Sequence, residues 1–147
     1  MTAHRLASTV TACPCGRPGE RGRPLPYEAC CGRYLDHWDD CPAPDAESLM
    51  RSRYTAFVRG RADYLLATWD VADRPPSLEL DPATRWLGLE VREVKNLGLD
   101  AAEVEFIARY REAGQAGRAV RLHERSRFRR AGGRWLYASG AMRERKT

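Results

Sequence analysis

All five cysteines of this 147-residue chain fall within its first 41 residues. Cys13, Cys15, Cys30, Cys31 and Cys41 are followed by 106 residues with none. Between the close pairs Cys13-Pro14-Cys15 and Cys30-Cys31 lie Gly16, Pro18, Gly19, Gly22, Pro24 and Pro26. Such a segment forms no long helix and buries little apolar surface, so something other than a hydrophobic core must hold it. An odd number of thiols argues against a disulfide framework. The first residues, MTAHRLASTVTACPCG, show no apolar leader, and no stretch approaches the ~18 apolar residues of a membrane span. A soluble cytoplasmic protein is expected. In a reducing compartment clustered thiols point to metal or redox chemistry. Redox chemistry is the weaker reading, because there is no Cys-x-x-Cys and adjacent cysteines bridge only with strain. Four thiolates suit a structural, tetrahedral Zn²⁺. The expected ligands are Cys13, Cys15, Cys30 and Cys31, with Cys41 a spectator and His37 and Cys41 as reserves. Gly16 and Gly32 follow the pairs, where a chain turning around an ion often needs positive φ.

Pro42-Ala43-Pro44 breaks the chain, dividing it into residues 1–43 and residues 44–147. Asp45 reads as a helix N-cap, or as part of an acidic first turn with Glu47. A helix follows with Met50, Tyr54, Phe57 and Val58 at helical spacing, closed by Gly60. A second helix carries Leu65, Leu66 and Trp69 on one face. From Trp86 the period becomes two: Leu87, Leu89 and Val91; then Val104, Phe106, Ala108 and Tyr110; then Val120, Leu122, Glu124, Ser126 and Phe128; then Trp135 and Tyr137 after the turn Ala131-Gly132-Gly133. Two helices and four hairpin-linked strands predict an α+β fold, with helices on one face of an antiparallel sheet.

Two resemblances follow from these residues. ACPCG and PYEACCGRYL resemble the SEC-C motif: Tyr27, Cys30, Cys31 and Gly32 match its second half, while the loop after Cys15 is longer and lacks the usual Gly-Ser-Gly-Lys. The resemblance implies zinc on the four cysteines and a binding role like that of the motif at the tail of the SecA translocation motor. MRSRYTAF, YLLATWD and LHERSRF with GGRWLY resemble YchJ-type proteins, a poorly characterised bacterial family. That likeness implies a domain of the nuclear transport factor 2-like (ketosteroid-isomerase-like) fold: helices against a curved sheet, forming a cone with a pocket. Relatives often carry a second cysteine motif at the C-terminus, which this chain, ending GAMRERKT, does not show.

Glu124 and Ser126 stand where an inward strand face calls for apolar residues. A carboxylate facing a core is paired or shifted in pKa. One reading makes Glu124 a ligand-orienting group or general base, with Arg51, Tyr54, Trp69, Ser126 and Trp135 lining the pocket; the other pairs it with Arg51 or Arg53. Trp86 is expected at the mouth of the cone. His123 alternates with Glu124 and is expected on the outer face, beside Arg121, Arg125, Arg127 and Arg129. The chain is basic, +5 overall, and residues 118–134 hold seven arginines against Glu124 alone. Glu103 and Glu105 are placed to neutralise that row; unneutralised, it would attract nucleic acid, an acidic protein or a second copy in a homodimer. The first expectation for function is an interaction or adaptor protein with structural zinc and a protein partner. The alternatives are a small-molecule site or enzyme around Glu124, and an RNA- or ribosome-associated factor.

Overall fold

The computed structural model describes residues 11–112 and 118–146, the last six by backbone alone. Residues 12–26 form a narrow irregular hairpin, closed by isolated bridges between Ala12 and Pro26 and between Pro18 and Pro24. A 3₁₀ turn, Tyr27–Ala29, leads into the one-turn helix α1, Gly32–Leu35. Helix α2 spans Ala46–Arg59 and α3 spans Ala62–Ala67. The Asp45 carboxylate accepts the Ser48 amide at 2.7 Å, and Gly60 ends α2 in the left-handed region at φ 71°. Both ends of this helix are therefore set by the residues the sequence singles out.

Strands β1 (Arg85–Asn96), β2 (Ala101–Arg111), β3 (Ala119–Ala131) and β4 (Arg134–Lys146) form one antiparallel sheet in the order β1-β2-β3-β4. The β2–β3 ladder is regular over its whole length. The edge strands are not. Leu87 and Arg92 are extra residues in β1, and Ala138 and Arg143 are extra residues in β4. Bulges bend a strand and increase its twist, so the outer strands curl around a straight central pair. The bulge at Leu87 also corrects the alternation read from sequence. Leu87 turns outward and is 45% exposed, while Trp86 takes the inward place. Gly88, at φ 157°, permits the step. Val58, expected on the apolar face of α2, faces solvent.

The buried core is continuous from Cys13 through Leu49, Tyr54 and Tyr64 to Val104, Phe128 and Trp135. The cysteine segment and the cone domain thus share one interior. Trp38 meets Tyr64 edge-on, with ring centres 5.8 Å apart, and Arg134 stacks on Trp38 while donating to the carbonyls of Trp38 and Asp39.

Candidate functional site

The hairpin and the turn before α1 bring four thiols together. The Sγ atoms of Cys13, Cys15, Cys30 and Cys31 all lie within 4.8 Å of one another, and all four residues are buried. The Cys15 and Cys30 sulfurs are 3.6 Å apart. A tetrahedron with Zn–S bonds of ~2.3 Å has S···S edges of about 3.8 Å, so the donor set fits that ion. Cys41 and His37 stand outside the group. The thiols are strongly interdependent. Hydrogen bonding with Cys15, Cys30 and Cys31 holds Cys13 below the usual thiol range, whereas hydrogen bonding with Cys13 and Cys15 pushes Cys31 above it.

Local backbone explains the motif residues around the sulfurs. The Gly16 amide donates to the Cys13 carbonyl at 3.1 Å, and its φ of 72° lets the chain turn back. Gly32 does not have the positive φ expected of it. It sits in helix α1, and a Cβ there would lie 2.7 Å from the Tyr27 ring and 2.8 Å from the Tyr27 carbonyl oxygen. Glycine is required by close approach. Tyr27 in turn is roofed by the Arg59 guanidinium, 4.0 Å from its ring centre. Its hydroxyl is buried with no hydrogen-bond partner among the described residues, and burial lifts its pKa to about 12.

Helix α2 carries the cysteine segment on one face and the cone cavity on another. Arg51 donates to the Cys15 carbonyl at 3.0 Å and pairs with Glu47 at 2.9 Å. Arg17 reaches Ser48 at 3.0 Å, and Thr55 approaches the Cys13 sulfur at 3.7 Å. Arg51 therefore does not line the pocket as expected. Two residues on, about 200° around the helix, Arg53 takes that role. Trp135 is a second correction. It is buried in the core nearer the β3–β4 turn, and Tyr137 faces the cavity in its place.

That cavity measures about 410 Å³, within the range of small-molecule sites. It lies between α2 and the inner face of the sheet. Met50, Arg53, Tyr54 and Phe57 line it from α2; Trp86, Phe106, Ala108 and Tyr110 from β1 and β2; Leu122, Glu124, Ser126 and Phe128 from β3; Trp69, Tyr137 and the loop residues Glu79, Leu80, Asp81 and Thr84 complete it. Trp86 is a wall, packed against Tyr54, Phe57 and Tyr110 at 4.9–5.6 Å between centres. Glu124 accepts from Ser126 at 2.7 Å and forms no ion pair with Arg51 or Arg53 among the described residues. Arg53 instead donates to the Leu65 carbonyl at 2.8 Å and to Thr68 at 2.7 Å, and lies over the rings of Trp69 and Tyr137. Periodicity could not reveal Arg53. An arginine on a helix is ordinarily a solvent residue, and only the packing of Trp69 and Tyr137 shows otherwise.

The outer face is ion-paired. His123 meets Glu105 at 2.6 Å; Arg125 bonds Glu93, Glu103 and Glu105; Arg127 bonds Glu103 at 2.7 Å. Arg129 clasps Asp70 through two hydrogen bonds of 2.8 and 3.0 Å, and Arg121 also has an interaction partner. His123 and Glu124 lie on opposite faces, because the irregularity beside them belongs to β4 and leaves the alternation of β3 intact.

Residues 45–140 match the family model described as YchJ, middle NTF2-like domain. The chain belongs to the YchJ family. A UPF0225 protein of Polaromonas sp. is 61% identical over 131 residues, covering 89% of this chain and 93% of that protein. Another, from Cupriavidus pinatubonensis, is 50% identical and covers 97% and 96%. The solution structure of a SEC-C motif containing protein from Rhodopseudomonas palustris superposes with a TM-score of 0.72 at 34% identity, covering 91% of this chain and all of that one. The crystal structure of a SEC-C motif containing protein from Psychrobacter arcticus gives 0.72 at 29% identity, covering 95% and 86%. Both superpositions extend over more than nine-tenths of this chain. Among the described residues no helix is long and apolar enough to cross a membrane.

Proposed function

We propose that this YchJ-family chain is a zinc-stapled binding protein. A structural Zn²⁺ on Cys13, Cys15, Cys30 and Cys31 fixes the N-terminal segment to α2, and the cone presents the binding site. The convergence of four buried sulfurs carries the metal assignment. With every position taken by protein, such an ion has no open site for water and serves structure. Elemental analysis of protein purified without a chelator tests this: about one zinc per chain is expected, lost in Cys31→Ser. Metal-free, reduced and folded wild-type protein would refute it.

The 410 Å³ cavity favours a small molecule as the bound partner. The adaptor reading, with a protein docking on the cysteine segment, draws on the motif alone, since Arg51, Arg17 and Arg59 engage the inner side of that segment from or against α2. The nucleic-acid reading is weaker, because Arg125, Arg127 and Arg129 already have carboxylate partners and exposed charge must remain to attract phosphate. Titration with small aromatic solutes, followed by the fluorescence of Trp69 and Trp86, tests the cavity. A saturable change supports it, and a response no larger than in denatured protein rejects it.

A further inference from the structure

Four charged side chains line the cavity: Glu79 and Asp81 are exposed, whereas Arg53 and Glu124 are more deeply placed, opposite in sign and not joined in an ion pair. Arg53 is 6% exposed. Its hydrogen bonds go to a carbonyl and a hydroxyl through one terminal nitrogen, and no carboxylate of the described residues forms an ion pair with it. Removing a guanidinium from water without a counter-charge is costly. Burial pulls its pKa down to about 10, opposed in decreasing order by Tyr137, Tyr64 and Glu124. Glu124, on the facing strand, has Ser126 as its only hydrogen-bond partner among the described residues.

Tyr137 stands between the two. Its ring faces Arg53 at 4.6 Å. Its hydroxyl lies on the side of Glu124: the place a Cβ would occupy at Gly140 is 2.9 Å from that hydroxyl and 2.1 Å from the Glu124 carboxylate. A positive and a negative group thus both neighbour one ring, in a cavity also lined by the aromatic residues Trp69, Trp86 and Tyr110 and by the aliphatic Met50, Leu80 and Leu122. A ligand with a single charge would satisfy one group and leave the other unmatched. One with adjacent opposite charges and an apolar body would satisfy both.

We propose that the cavity binds a free aromatic α-amino acid, its carboxylate on Arg53, its ammonium on Glu124 and its ring against the aromatic walls. This rests on the small-molecule reading of the cavity. The test uses three probes of nearly equal shape: L-phenylalanine, 3-phenylpropionate, which lacks the ammonium, and phenethylamine, which lacks the carboxylate. Hydrogen bonds to charged groups set the scale, so phenylalanine is expected to bind at least about tenfold more tightly than either. Glu124→Gln, checked for an unchanged melting curve, is expected to erase the advantage over phenylpropionate and to spare that over phenethylamine. Equal binding of phenylalanine and either single-charge probe, or an advantage over phenylpropionate that survives Glu124→Gln, would overturn the proposal while leaving the cavity a ligand site. Failure of all three probes to bind would overturn both.

Discussion

The two halves of this molecule are held together by different physics. Residues 12–41 contain two 3₁₀ turns, one α-helical turn and a few bridges, and four buried sulfurs come together among them beside Tyr27, Tyr34 and Leu35. The cone is held by long strands and a helix whose apolar faces meet around Leu49, Leu65, Val104 and Phe128. In the first half the organising contacts are those of a few named side chains; in the second they are spread along apolar strand and helix faces. Helix α2 joins the two regimes, with Arg51 and Thr55 turned to the sulfurs and Arg53 and Tyr54 turned to the cavity.

The contrast predicts an order of mutational effects. Cys30→Ser strikes hardest. Structural zinc is worth on the order of 10 kcal/mol to small modules at neutral pH, so metal should be lost and residues 12–41 should lose amide protection, while the sheet stays folded by circular dichroism. Simultaneous melting of the sheet would erase the distinction between the halves. Gly32→Ala comes next. The new methyl group would meet both the ring and the carbonyl of Tyr27, and overpacking of this kind costs about 1–3 kcal/mol, read as a lower midpoint in denaturant. Removing the α2 cap with Asp45→Ala should cost about 1 kcal/mol and shift both halves together, because both lean on that helix.

The smallest effect is that of acid on the outer face. Arg129 beside Asp70, Arg127 beside Glu103 and His123 beside Glu105 hold these carboxyls below their ordinary pKa. Groups with depressed folded-state pKa stabilise fully above their unfolded values near ~4 and lose that contribution as pH falls through the folded ones. A shallow decline in melting temperature below about pH 4, weakened by salt, is expected. A decline that begins near neutrality would assign the pH dependence elsewhere.

Legibility in the sequence follows the same division. The cysteine pairs stood out because thiols so clustered are rare outside metal or redox sites, and Tyr27 entered through the SEC-C resemblance; Gly32 was singled out too, although its reason is steric crowding and not φ. The helix caps at Asp45 and Gly60 and the inward row of β3 followed from local rules. What escaped was set by long-range packing. A bulge at Leu87 reversed the inward residue of β1. The pocket arginine was Arg53 and not Arg51, a choice made by the direction in which α2 rolls against the sheet. Trp135 and Tyr137 share a strand face, but only the cavity's extent decides which one lines it.

Four thiolates and nothing else are proposed to hold an ion between the hairpin and the turn before α1. X-ray absorption at the zinc edge of the purified protein measures that shell directly. Four sulfurs at ~2.3 Å, with no nitrogen or oxygen neighbour, is the result this structure predicts. A mixed shell, with His37 or water completing three sulfurs, would contradict it.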